Sequence, residues 1–256
     1  MEASLASPTV KESFTTTLTS LPPELLADVA AHLPLGSLAC FSLVSRFVRE
    51  AVQPKLYHKV ELRCDGATEL QERRREAVRA TLKLLGEDEK RCEMLRELDL
   101  REWAWMDDAE TKDLAAVSRS ARRLTALRLE NSPSDLESYI PVFQPVWDAV
   151  LALPDLTRLA CSGGPLVPLH LHRNSALRRL EITNYTMVPN EDGALPALHH
   201  LHLDNVGGFT EEWFAPKLLE SLRVLTLANL DLAGAKVVLS LFTVRSTTTV
   251  WKPEPR

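Results

Sequence analysis

The sequence has few of the features that secreted, metal-binding or membrane proteins require. Its four cysteines, Cys40, Cys64, Cys92 and Cys161, are scattered over 256 residues with no C-x-x-C pair. This argues against a zinc ribbon or a disulfide framework and fits a reducing compartment. The longest apolar run without a charge, Val237 to Val244, is far below the roughly 18 residues of a membrane span. The opening MEASLASPTVKESFTTTLTS lacks a basic region followed by an apolar run, so no secretory signal is expected. Cytoplasmic or nuclear residence follows. A basic excess is also missing: 30 Lys and Arg stand against 35 Asp and Glu, a net charge of −5. No global field favours nucleic acid or an anionic membrane. There is no G-x-S-x-G elbow, no phosphate-cradling glycine loop and no H-E-x-x-H. The sequence thus offers no nucleophile–base pair, and neither enzymatic activity nor a cofactor is expected.

The composition is otherwise that of an ordinary folded protein, with 45% hydrophobic and 25% charged residues. Residues 1–20 read as a disordered lead-in. A small helical domain is expected over residues 21–60, its helical block running from Leu21 to about Pro54; "KLYHKVEL" (Lys55 to Leu62) follows, and its alternation of Leu56, His58, Val60 and Leu62 suggests a short strand. Residues 61–94 read as a connecting helix. Within them, Leu70, Ala77, Val78, Thr81, Leu82 and Leu85 share one side from Ala67 to Gly86, and Glu69 lies one turn before Arg73. The run Arg73-Arg74-Arg75 sits among Glu69, Glu72 and Glu76 and reads as a solvated helix face.

From Leu95 onward the chain repeats itself. LRELDL, LTALRL, LTRLAC, LRRLEI, LHHLHL and LRVLTL begin at residues 95, 124, 156, 177, 198 and 222, with offsets of 29, 32, 21, 21 and 24. Each has an apolar or cysteine residue at its first, fourth and sixth places. Three offsets lie within the leucine-rich-repeat range of about 20–29 residues, one at its edge and one beyond it. A short strand would turn its fourth and sixth residues inward and its third and fifth outward. Stacked repeats then share a leucine ladder that no single repeat could close. The longer repeats carry DDAETKDLAAVSRSA and PSDLESYIPVFQPVWDAVLAL, both partly helical in pattern. Asn131, Asn184, Asn205 and Asn229 each follow the last inward residue by two, which suggests a tight bend there. The fold class expected is α/β: a small helical domain, then an irregular leucine-rich-repeat solenoid over 95–245 with parallel strands on its concave face. Residues 246–256 read as a tail. No polar capping repeat follows LRVLTL, so the last repeat is expected to be the least stable.

In "LPPELLADVAAHL" the polar Glu24, Asp28 and His32 form one narrow stripe, while Leu25, Leu26, Val29, Ala30 and Leu33 cover the rest. A second helix is expected to start at Ser37 as its cap and to run through LACFSLVSRFVREAV. About forty residues cannot bury so much apolar surface alone. The segment from Leu21 to Leu62 resembles the F-box: Leu-Pro-x-Glu-Leu-Leu, then Leu33, Leu38, Val44-Ser45-Arg46, Pro54 and Leu56-Tyr57. It departs from the family at Val48, where a Trp often stands. The resemblance implies docking on the Skp adaptor of a cullin–RING ubiquitin ligase, with Leu21, Pro22, Leu25, Leu35, Leu38 and Val44 as the contacts. The alternative is a helical cap that packs on the repeats and binds nothing.

The repeat frame places Glu97 and Asp99, Ala126 and Arg128, Arg158 and Ala160, Arg179 and Glu181, His200 and His202, and Val224 and Thr226 on one outward face. Glu97, Asp99, Arg128, Arg158, Arg179, Glu181, His200 and His202 are the candidates for binding an unknown protein target. Arg128, Arg158 and Arg179 suit an acidic or phosphorylated partner. The alternative is a solvated face whose arginines pair internally with glutamates. His199, His200, His202, His170 and His172 lack the carboxylates or thiols of a zinc site, so ordinary hydrogen-bonded histidines are expected. Cys161 fills an inward place and reads as a buried, inert thiol.

Overall fold

The structure, a computed structural model, describes residues 18–64, 68–103, 107–131, 144–163, 171, 174–186, 195–207, 214, 216–229 and 236–237. The chain forms two compact units, Met1–Leu56 and Tyr57–Arg256.

In the first unit Leu18–Ser20 form a 3-10 turn, so the last three residues of the expected lead-in are structured, and residues 1–17 lie outside the described residues. Helix α1, Pro23–His32, is entered through Pro22, with Pro23 at its first position and Glu24 in its first turn. Both prolines fit because those backbone positions need no N–H donor, and Glu24 faces the positive helix end. The second helix departs from expectation. Helix α2, Leu35–Ser42, follows Pro34, so Ser37 lies inside it and is not its cap. It stops at Leu43, and Ser45 opens a separate helix α3, Arg46–Leu56, by accepting the Val48 N–H at 3.1 Å. That side-chain acceptor supplies the capping oxygen which splits the anticipated single helix. The core of the unit is Leu26, Ala30, Leu38, Val48 and Val52, flanked by Leu21, Leu33, Phe41, Ala51 and Leu56. Val48 thus plugs the core.

The second unit is built on a seven-stranded parallel sheet whose strand order follows the chain. The strands are β1 Lys59–Arg63, β2 Glu97–Trp103, β3 Ala126–Asn131, β4 Arg158–Ser162, β5 Arg179–Thr186, β6 His200–Gly207 and β7 Val224–Ala228. Strand β1 corrects two expectations. Lys55 and Leu56 are helical, so the strand begins only at Lys59. It also pairs with β2 in the repeat register, Lys59 opposite Glu97 and Leu62 opposite Leu100. YHKVEL, from Tyr57, is therefore a further copy of the hexamer, with Tyr57, Val60 and Leu62 packed in the sheet's core. Residues 61–94 accordingly belong to the sheet unit and do not connect two domains.

Each strand from β2 to β7 is started by the same device. The carbonyl of the second hexamer residue accepts two N–H groups from the next repeat: His58 from Arg96 and Glu97, Arg96 from Thr125 and Ala126, Thr125 from Thr157 and Arg158, Thr157 from Arg178 and Arg179. Arg178 and His199 continue it toward β6 and β7. Inward places are buried as the frame requires, at Leu98, Leu100, Leu127, Leu159, Cys161, Leu180, Ile182, Leu201, Leu203 and Leu225. At the eighth place the chain turns through the left-handed region: Gly163, Asn184, Asn205 and Asn229 have φ of 78°, 57°, 49° and 47°. Asparagine tolerates that conformation, and its side chain can then bond a neighbour. Asn205 Nδ2 donates to Asn184 Oδ1, and Asn229 Nδ2 to Asp204 Oδ1, both at 2.9 Å. This is the physical content of the tight bend that the asparagine spacing suggests at three of its four positions; Asn131 instead ends strand β3, paired with Trp103.

Helices α4 Thr68–Glu87, α5 Glu89–Met94, α6 Asp108–Ser120 and α7 Gln144–Leu151 contribute to the same core as the inward leucines. Helix α8 is the short Pro216–Ser221. The stripe of α4 is narrower than its sequence suggests: Val78, Leu82 and Leu85 are buried, while Leu70 and Ala77 are exposed. The side chain of Glu69 lies outside the described residues. Arg75 also departs from the solvated reading of the arginine run. Its Nε and Nη2 donate to Glu110 Oε1 and Oε2 at 2.8 and 2.9 Å, and Arg79 Nε reaches Glu110 Oε1 at 2.6 Å. Glu110, 1% exposed, also closes a capping box with Asp107 at the start of α6. A carboxylate so deeply buried is tolerable only with such partners.

Candidate functional site

Two surfaces stand out. The first belongs to the helical unit. Among α1, α2, the turn after α2 and the start of α3, only a thin seam faces the unit's own core, and Leu25, Val29, Leu35, Leu43, Val44 and Phe47 are left exposed. Leu43, in the turn between α2 and α3, is 73% exposed and Leu35, at the start of α2, 58%. Of the residues expected to make contact, Pro22, Leu25, Leu35 and Val44 lie at the surface. Leu21 is half-buried against the core. Leu38 is 1% exposed and holds the core together, so it is not available to a partner. Val29, Leu43 and Phe47 were not among the expected contacts. Their signal was the excess of apolar residues over one helix face, which does not say which of them face inward.

The second surface is the outward face of the sheet. The expected residues do share it. The strand register lines up Lys59, Glu97, Ala126, Arg158, Arg179, His200 and Val224 in one row, and Glu61, Asp99, Arg128, Ala160, Glu181, His202 and Thr226 in the next. Two shallow depressions follow these rows. One of about 250 Å³ runs over β1 to β5, and one of about 260 Å³ lies over β5 to β7.

The arginines on this face pair internally, as in the solvated alternative. Arg158 reaches across the small Ala126 to Glu97, 2.5 Å away on the second strand over. Arg128 pairs with Glu130 at 3.0 Å, and Arg179 with Glu181 at 2.5 Å. Arg101 closes on Asp99, and that hydrogen bond is the first cause of the raised Arg101 pKa. Lys59 pairs with Glu61 at 2.6 Å, a bond that holds the Glu61 carboxyl below its usual range. Exposed pairs of this kind add little stability, but they cancel the field that three free arginines would project. Lys59 and Glu61 escaped the reading because tyrosine replaces leucine at the first place of their repeat.

His200 and His202 lie on the outward face together, as the alternation required. His170 and His172 lie outside the described residues. Among the described residues, no group of three or more His, Cys, Asp or Glu could hold a metal ion, and no helix is long and apolar enough to cross a membrane. Cys161 is buried and burial pushes its thiol pKa up; Cys92 is pushed to about 11 by burial, with Asp88 and Glu89 adding to it. Neither thiol is poised as a nucleophile.

The family model of the F-box domain matches residues 18–58. The match covers the helical unit and ends just before β1. No curated protein matches the chain. The N-terminal unit is therefore an F-box domain, followed by a parallel-strand sheet with helices.

Proposed function

We propose that the chain is the target-recognition subunit of an SCF-type cullin–RING ubiquitin ligase. The F-box unit docks on the Skp adaptor through Pro22, Leu25, Leu35 and Val44, joined by Val29, Leu43 and Phe47. The sheet unit is a leucine-rich-repeat domain that holds the target protein on its outward face. The supporting observation is the F-box match over a unit that leaves this apolar set exposed. Monomeric surfaces rarely keep such a patch unless a partner covers it. The repeat reading is supported by the recurring hexamer, the parallel strands in chain order and the asparagine bends. The chain contributes proximity: it brings target lysines to the conjugating enzyme and performs no chemistry itself. Residence in the cytoplasm or nucleus belongs to the same proposal.

The test is co-expression with the Skp adaptor, scored for a one-to-one complex by size-exclusion chromatography. Leu25→Asp with Leu35→Asp is the matched variant, since both side chains are exposed and the fold should survive. A complex formed by the wild type and lost in the variant supports the proposal. Failure of the wild type to bind would return the helical unit to the role of a cap on a scaffold.

A further inference from the structure

The outward face neutralises its own charge, but the residues one place earlier do not. The second hexamer residues of the last three described repeats are Arg178, His199 and Arg223. Their backbones are bonded in series: the His199 N–H donates to the Arg178 carbonyl and the Arg223 N–H to the His199 carbonyl, each at 2.8 Å. The three residues therefore stand side by side, one strand spacing of about 4.8 Å apart. Arg178 is held in place, because its Nη1 donates to the Ser175 and Leu177 carbonyls at 2.7 and 2.8 Å. Arg96 is anchored in the same way, to Glu93 and Leu95, but its neighbours in the row are His58 and Thr125. Only at the β5–β7 end does the row bring three basic side chains together, two of them arginines.

Among the described residues, neither Arg178, His199 nor Arg223 has a carboxylate partner, and Arg223 is exposed. Burial holds the His199 pKa below the ordinary imidazole value, and Arg223, Arg178 and His200 push it the same way. No carboxylate opposes them. Like charges side by side cost stability, and the cost is recovered when an anion joins them.

We infer that Arg178, His199 and Arg223 form a docking point for an acidic segment of a target protein, whose aspartate or glutamate carboxylates bridge the two guanidiniums. This rests on the sheet unit being the target-binding half of the molecule. A nucleic acid fits poorly, because the arginines on the adjoining face are already paired and a net charge of −5 offers an extended polyanion no further field. A carboxylate placed between the guanidiniums favours protonated His199, so binding strengthens as pH falls through and below the ordinary imidazole value of about 6.5.

The probe is a fluorescein-labelled ten-residue glutamate peptide, titrated into the full chain by fluorescence anisotropy at low, fixed ionic strength. Arg178→Glu with Arg223→Glu should weaken binding about tenfold or more. Arg73→Glu with Lys83→Glu, the same charge change on exposed positions of α4, should leave it within about twofold. His199→Gln should remove the gain at lower pH. Equal losses in the two double variants, no binding by the wild type, or tighter binding of a ten-residue oligothymidylate would each overturn the inference. A readout without ligand guards against misfolding: by NMR, the His199 pKa should rise in Arg178→Gln with Arg223→Gln, and an unchanged value would refute the cluster. Adaptor co-purification is scored for every variant. Peptide binding without adaptor binding would remove the ligase assignment alone, and adaptor binding without peptide binding would remove only the acidic docking point.

Discussion

The helical unit and the sheet unit handle apolar surface in opposite ways. Among the described residues, the helical unit exposes Leu18, Leu25, Val29, Leu35, Leu43, Val44 and Phe47, whereas the much larger sheet unit exposes only Leu70, Leu84 and Val224. The sheet unit turns its leucines into one continuous core and covers the outward face with ion pairs. The difference teaches where to look for a partner in each. In the helices a partner would gain by burying apolar area; on the sheet it would have to compete with existing salt bridges or use the cations that lack one.

The largest effect expected lies where the sheet unit buries charge. Glu110→Gln removes the carboxylate that Arg75 and Arg79 share, leaving Arg79 its bond to Asp107, and breaking a largely buried pair costs up to about 3–5 kcal/mol. Urea unfolding followed by Trp147 fluorescence would measure it. The same site predicts acid sensitivity. Burial alone would raise the Glu110 pKa, but hydrogen bonds from Arg75, the Asp107 N–H and Arg79 outweigh it, and the net shift is downward. Asp107 is also lowered, chiefly by the Glu110 N–H. A folded pKa below the unfolded value gives stability that is fully present above about pH 4.3 and lost as pH falls through the folded pKa. The wild type should therefore lose stability below about pH 4.3, and Glu110→Gln should lose less over the same interval. Parallel pH curves for the two proteins would contradict this.

In the helical unit the contrast can be tested on one helix. Leu38→Ala should cost about 2–5 kcal/mol, because that side chain fills a core of few residues. Leu35→Ala, on the same helix but exposed, should change stability by no more than about 0.5 kcal/mol. Hydrogen exchange of the α1–α3 amides reads this unit directly. Equal losses would mean that the division into core and contact surface is misplaced.

These two leucines also show how far the sequence could be read. The F-box resemblance and the hexamer repeat were legible because spacing alone carries them. Which of Leu35 and Leu38 faces inward was not, since both lie in a helix with apolar residues on most sides and only packing against α3 decides. The outward row was legible by alternation, yet its pairing was not. Arg158 meets Glu97 across two strands because Ala126 between them is small, a coincidence of three repeats 61 residues apart in sequence from end to end. The first strand was misread because Tyr57 broke the leucine pattern and Pro54 suggested that the helix had already ended.

The bends offer an intermediate test. Asn205→Ala forces an alanine into φ near 49° and removes the bond to Asn184, which should cost about 1–2 kcal/mol. Asn205→Gly relieves the backbone but not the lost bond and should cost less. Equal losses in thermal unfolding would show that the side-chain bond, not the left-handed backbone, is what the position requires.

The smallest effect should come from the outward face. Arg158 is 51% exposed at its side chain and Glu97 30%, and pairs so open to water contribute between about 0 and 1 kcal/mol. Arg158→Ala should therefore leave unfolding almost unchanged. It would nevertheless free Glu97 and make the β1–β4 part of the face more acidic, while Arg178, His199 and Arg223 stay as they were. Binding of the glutamate peptide should then fall by less than about twofold, because the added repulsion is solvent-screened and away from the docking point. A loss as large as that of the Arg178 and Arg223 reversals would move the acidic partner onto the face itself, and Arg158 would have to leave Glu97 to meet it.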